Sequence, residues 1–159
     1  MIIFSKALAD QATVWEAIRA SRESCEALPA GLVRFSGQSR PVVMWNLTRA
    51  CNLACDHCYI DAKSSRGDEM ELEEGLRLID ELAVLKVPIL ILTGGEPLLS
   101  RNFWAYAFHA KERGLGTVIS TNGTLITKEV AVLLKEAGIR YVGVSLDSSR
   151  PEVHDKFRG

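Results

Sequence analysis

Four short apolar runs, VVMWNL (42–47), ILILT (89–93), GTVIST (116–121) and YVGVSL (141–146), recur from Pro41 onward with amphipathic stretches between them. This alternation narrows the possible folds sharply. Each run has the length of a strand and is nearly continuous in apolar residues, as in a parallel sheet covered by helices. Over 69–86, Leu72, Leu76, Ile79, Leu82 and Ala83 recur at helical spacing, behind Asp68 as N-cap and Glu71 three residues later. Over 102–113, Phe103, Tyr106, Ala107 and Ala110 share one face, and Gly114 stops the helix. Thr127 is placed to cap a helix carrying Val130, Leu133, Leu134 and Ala137, which Gly138 ends. The class is α/β.

Four units are too few for a closed barrel of eight, which takes about 250 residues. The expectation is an open sheet or part of a barrel, with the fourth helix beginning near Pro151 and the chain stopping within its own pattern at Gly159. With no continuation, the run 141–146 leaves an exposed apolar edge. Residues 1–40 stand outside the repeat as an N-terminal extension. There Ala7, Leu8, Val14, Ile18 and Cys25 suggest a helix over 7–27, followed by a break at Pro29 and Gly31. The domain division is therefore 1–40 and 41–159.

Composition excludes several classes of function. With 47% apolar and 25% charged residues, the 159-residue chain can bury one core. A net charge of −1, without long runs of one sign, gives no basic footprint for nucleic acid. The opening MIIFSKALADQATVW is interrupted by Ser5, Lys6, Asp10 and Gln11, unlike a signal peptide, and no apolar run is long enough for a membrane span. A cytoplasmic protein is expected, whose clustered cysteines serve as metal ligands or redox groups rather than disulfides.

In parallel α/β folds, ligands bind where the loops at the strand carboxyl ends converge. The four junctions there read Thr48 to Tyr59 with Cys51, Cys55, His57 and Cys58; Thr93-Gly94-Gly95-Glu96-Pro97; Ser120-Thr121-Asn122-Gly123; and Ser145-Leu146-Asp147. Three cysteines within eight positions are one short of a closed zinc or ferredoxin-type site. Held by three thiolates, a four-iron cluster keeps one iron open to a substrate or cosubstrate. A zinc site recruiting His57 or Cys25, and a set of buried small thiols, remain the alternatives. Gly94-Gly95 with Glu96 also suits a plain strand-to-helix turn, Asn122-Gly123 a tight turn, and Ser145 and Asp147 helix caps. Arg49 is read as a solvated loop charge, Cys25 as a packed thiol, and His154, Asp155 and Arg158 as a solvated last segment.

Cys51-x-x-x-Cys55-x-x-Cys58 after a first strand, with Gly94-Gly95-Glu96-Pro97 after a second, resembles the radical S-adenosylmethionine superfamily over residues 41 to 159. The resemblance implies a partial (β/α) barrel of that type, with its C-terminal part missing here. It also implies a 4Fe-4S cluster on Cys51, Cys55 and Cys58 and S-adenosylmethionine chelated at the open iron. Reductive cleavage to a 5′-deoxyadenosyl radical would then drive hydrogen abstraction. By the same resemblance Gly94 and Gly95 admit the methionine end, Glu96 accepts from its ammonium, and Pro97 stiffens the turn. Ser120, Asn122, Ser145 and Asp147 face the ribose or carboxylate. His57 stands where the family has an aromatic residue beside the adenine, with Tyr59 sharing that contact.

MIIFSKAL, PVVMWNLTRACNLACDHCY and SLDSSRPEVHDKFRG further resemble the branch that modifies tetrapyrroles in alternative haem and haem d1 biosynthesis. The implied partners are a tetrapyrrole or a peptide as substrate and an electron donor such as ferredoxin or flavodoxin. The alternatives are a peptide-modifying or enzyme-activating relative and a non-catalytic iron-sulfur or zinc-binding fragment.

Overall fold

Val43, Trp45 and Leu47 of β1 (Val43–Thr48) turn into an apolar core while Met44 and Asn46 between them stay exposed, the two-residue period of a pleated strand. The structure, a computed structural model, describes residues 41–62 and 69–159. The expected helix over 7–27, Cys25, Pro29 and the cap at Asp68 lie outside the described residues.

Three helices link β1 to the strands that follow. They are α1 (Leu72–Val84), leading to β2 (Leu90–Gly94), α2 (Phe103–Glu112), leading to β3 (Thr117–Thr121), and α3 (Lys128–Glu136), leading to β4 (Ile139–Val144). A fourth helix, α4 (Pro151–Arg158), follows β4. The sheet order is β1-β2-β3-β4 and every pairing is parallel, with Val43 opposite Leu90, Leu90 opposite Thr117 and Thr117 opposite Ile139. Spatial order thus follows chain order without reversal. All four carboxyl ends face one rim, as in a barrel segment, and the described sheet is open, with β1 and β4 at its edges.

The core lies between the central strands and the first two helices. Leu90, Leu92 and Ile119 meet Ile79 of α1 and Phe103, Ala107 and Ala110 of α2, all essentially inaccessible to solvent. Tyr106 packs its ring against Trp45 with centroids 4.8 Å apart. Its buried hydroxyl is satisfied by the carbonyls of Met70 and Glu71 and by Asn102. That burial pushes the phenol pKa up.

The helical faces differ from the periodicity at two points. Leu72 begins α1 and is exposed, while Gly75 takes the inner position, because a Cβ there would meet the Tyr106 ring at 2.4 Å. Leu133 of α3 is exposed and Leu134 alone is fully buried there. The box-like start of α1 is also absent: Glu71 is its N-cap and makes no side-chain cap bond. Thr127 does cap α3, accepting the Val130 N–H. β4 begins at Ile139, earlier than its apolar run, and leaves Ser145 and Leu146 in the loop. Val144 and Leu146 are more than half exposed along this edge. Among the described residues no helix is long and apolar enough to cross a membrane.

Candidate functional site

The cysteine loop after β1 is fastened on two sides. On one side the N–H groups of Gly95 and Glu96 donate to the carbonyls of Thr48 and Ala50, both at 2.8 Å. A Cβ on Gly94 would lie 2.5 Å from the Thr48 oxygen, and one on Gly95 2.2 Å from the Ala50 oxygen. Gly94 also has φ +132°, so glycine is required twice over for the loops to touch. On the other side, the Ala54 and Asp56 N–H groups donate to the Arg158 and Phe157 carbonyls at 3.1 and 3.3 Å. The last carbonyls of a helix lack partners within it, so the end of α4 is a ready acceptor for this loop.

Cys51, Cys55 and Cys58 are all free thiols and line one cleft of about 170 Å³. Its other walls include His57, Tyr59, Gly94, Gly95, Ser120, Asn122, Ser145 and Arg158. Each sulfur faces an N–H donor. Cys51 accepts from Leu53 N–H at 3.4 Å and Asn122 Nδ2 at 3.9 Å, Cys55 from Arg158 Nη1 at 3.7 Å, and Cys58 from Ala62 N–H at 3.2 Å. Three thiols are one ligand short of a closed tetrahedral zinc site, and as a donor set they fit a four-iron cluster with one iron left open.

Of the other predicted site residues, Glu96, Pro97 and Asp147 do not line the cleft. Glu96 is wholly buried and caps the 3₁₀ turn Pro97–Leu99. Its carboxylate accepts from Leu98 N–H at 3.2 Å, Asn122 N–H at 2.9 Å and the Thr121 hydroxyl, which reaches both oxygens at 2.8 and 2.9 Å. Pro97 is buried at the first position of that turn. Asp147 turns to Arg158, Oδ2 to Nε at 2.5 Å. His57 stacks on Phe157 with centroids 4.3 Å apart, and the Tyr59 hydroxyl donates to Asn46 at 3.3 Å.

The reading of Arg158 and His154 as solvated is corrected. The Arg158 side chain is only 13% exposed, drawn in by Asp147 and Cys55, and His154 Nδ1 accepts the Asp147 N–H at 3.3 Å. Asp155 is exposed, as expected. Arg49 is exposed, as expected of a loop charge, and its Nη2 donates to the Ile60 carbonyl across the cysteine loop. The signal for Arg158 is its spacing: His154 and Arg158 are one helical turn apart, so both face back toward the β4 end. The sequence gives no role to Thr121, which holds the Glu96 carboxylate, or to Asn52, whose amide donates to Thr124 and accepts from Asn122.

A sequential parallel β/α sheet with a cysteine-lined cleft at the strand carboxyl ends defines a class of cofactor-binding half-barrel. Residues 45–159 match the family model described as Radical SAM superfamily, and the chain belongs to that family. The Fe-coproporphyrin III synthase of Methanosarcina barkeri is 48% identical over 160 aligned positions, covering all of this chain and 40% of the relative. The AdoMet-dependent heme synthase of the same organism is 42% identical over 119 positions, 74% of this chain and 34% of the relative. This chain thus spans well under half the length of these curated relatives. Streptococcus suis SuiB, solved bound to S-adenosylmethionine, superposes with a TM-score of 0.63 at 19% identity, over 92% of this chain and 33% of that one. At that identity the likeness concerns the fold.

Proposed function

We propose that residues 41–159 are the cluster-holding core of a radical S-adenosylmethionine enzyme that works on a tetrapyrrole in haem biosynthesis, with 1–40 as an extension of the same protein. The observation that carries this reading is the meeting of Cys51, Cys55 and Cys58 with the Gly94-Gly95 turn in one cleft. The tetrapyrrole assignment draws on the similarity to the Fe-coproporphyrin III synthase, which runs through residues 1–40 as well as the core.

In this reading Cys51, Cys55 and Cys58 would hold a 4Fe-4S cluster, and the remaining cleft residues would bind S-adenosylmethionine. When bound, the two supply one-electron reductive chemistry that ends in hydrogen abstraction from the substrate. The chain's residues bind and orient. Gly94 and Gly95 present bare backbone to the methionine end, while Glu96, expected as the acceptor for its ammonium, is buried with its carboxylate bound to Leu98, Thr121 and Asn122 and instead braces the turn from behind. Ser120, Asn122 and Ser145 offer hydroxyl and amide groups to the ribose and carboxylate. His57, flattened against Phe157, offers a ring face to the adenine, with Tyr59 beside it. Asp147 acts through Arg158, and Pro97 stiffens the turn. Electrons come from a donor such as ferredoxin or flavodoxin. An oxidant-sensitive cluster belongs in a reducing compartment, which suits the cytoplasm.

Low-temperature electron paramagnetic resonance of the anaerobically reconstituted, reduced protein tests the assignment. A four-iron signal that shifts on adding S-adenosylmethionine is expected, together with loss of the signal when Cys51, Cys55 or Cys58 is replaced by alanine. Full iron and sulfide content in the triple alanine variant would refute the ligand assignment. Anaerobic turnover with an iron-coproporphyrin or sirohaem-derived tetrapyrrole tests the substrate, and failure to consume either would return the choice to peptides.

A further inference from the structure

The three thiolates differ in the charge that faces them. Cys58 is addressed by a backbone N–H and Cys51 by a backbone N–H and the Asn122 amide, whereas Cys55 meets the guanidinium of Arg158, Nη1 to Sγ 3.7 Å. Among the described residues this is the cation the structure records in hydrogen-bond contact with a cysteine sulfur. It is held from both ends. The Arg158 carbonyl accepts Ala54 N–H, one residue before Cys55, and the side-chain Nε is bound to Asp147 Oδ2 at 2.5 Å. The Arg158 side chain is largely withdrawn from water, at 13% exposure, while Asp147 keeps 27% of its side chain in contact with solvent. The guanidinium is therefore less screened than a surface charge.

A positive charge donating a hydrogen bond to a cluster sulfur stabilises the electron-richer state, and such bonds, with net charge and exposure, set iron-sulfur potentials. We propose that Arg158 is a positioning residue that raises the reduction potential of the cluster through Cys55, and that Asp147 sets how much of its charge the sulfur experiences. The inference rests on the cluster assignment above. It predicts effects of opposite sign at two partners. Removing the guanidinium leaves the Asp147 carboxylate uncompensated and makes reduction harder, whereas neutralising Asp147 leaves the guanidinium at full strength and makes reduction easier.

The test uses four reconstituted proteins: wild type, Arg158→Gln, Arg158→Lys and Asp147→Asn. Iron and sulfide are measured first, and the midpoint potential is then taken by a redox titration followed by electron paramagnetic resonance without S-adenosylmethionine. At a fixed solution potential Arg158→Gln is expected to hold about tenfold less reduced cluster, a shift of about 59 mV to more negative values for one electron. Asp147→Asn shifts the other way, and Arg158→Lys stays near wild type. A merely structural role would change iron content in both variants without opposite shifts in potential. Equal potentials in iron-replete wild type and Arg158→Gln, or shifts of the same sign at both positions, would overturn the proposal while leaving the cluster intact. If Arg158→Gln takes up no iron, a potential in Asp147→Asn that fails to rise does the same. A wild type without iron would bring down the cluster assignment itself.

Discussion

The two ends of the sheet are built on opposite rules. At the strand amino ends, each helix turns into the next strand with local bonds. Lys86 N–H returns to Ala83, Gly114 N–H to Lys111 and Gly138 N–H to Lys135, and these three residues hold φ of 53°, 71° and 74°. Each turn closes upon its own helix, the αL stop that ends many helices. At the carboxyl ends the loops close on one another. Gly95 binds Thr48, Asn122 binds Glu96, Ser145 binds Thr121, and Ala54 binds Arg158. Damage should stay local at the first end and spread at the second.

The largest contrast is expected at Glu96. Glu96→Ala strands three donors, Leu98 N–H, Asn122 N–H and the Thr121 hydroxyl, and should cost about 3 kcal/mol or more, at 1–3 per buried unsatisfied group. Hydrogen exchange should quicken at Asn122 and also at Ala54 and Asp56, whose N–H groups bond instead to Arg158 and Phe157. Confinement of the change to residues 96–100 would break the comparison. Gly114→Ala probes the other end, where a Cβ meets nothing within 4 Å and only the backbone is strained. A loss of about 1 kcal/mol in urea unfolding is expected, with no change in cofactor uptake. The smallest effect is Lys86→Gly, which relieves a left-handed non-glycine residue and should raise stability by about 0.5 kcal/mol.

Locality also decides how much could be read from the sequence. The stops at Gly114 and Gly138, the cap at Thr127 and the buried face of Phe103, Tyr106, Ala107 and Ala110 depend on neighbours within a turn or so, and the periodicity shows them. The exchange of Leu72 for Gly75 was hidden, because it depends on the Tyr106 ring arriving from another helix. At the rim, spacing alone singled out Cys51, Cys55, Cys58 and the Gly94-Gly95 turn. It could not show that the Glu96 carboxylate turns toward β3, since its partners Thr121 and Asn122 lie 25 and 26 residues on. Nor could it show Arg158 against Cys55: the spacing from His154 marks a shared helix face, but what that face meets lies 103 residues back.

That last contact sets an order in time. Cys55 and Arg158 are 103 residues apart, and at a ribosomal rate of about 5–20 residues per second the second follows the first by roughly 5–20 s. For that interval the three thiols are made but lack the helix end that shelters them, and the strands arrive only one by one. A nascent chain carrying them is open to oxidation and to whichever soft metal reaches it first.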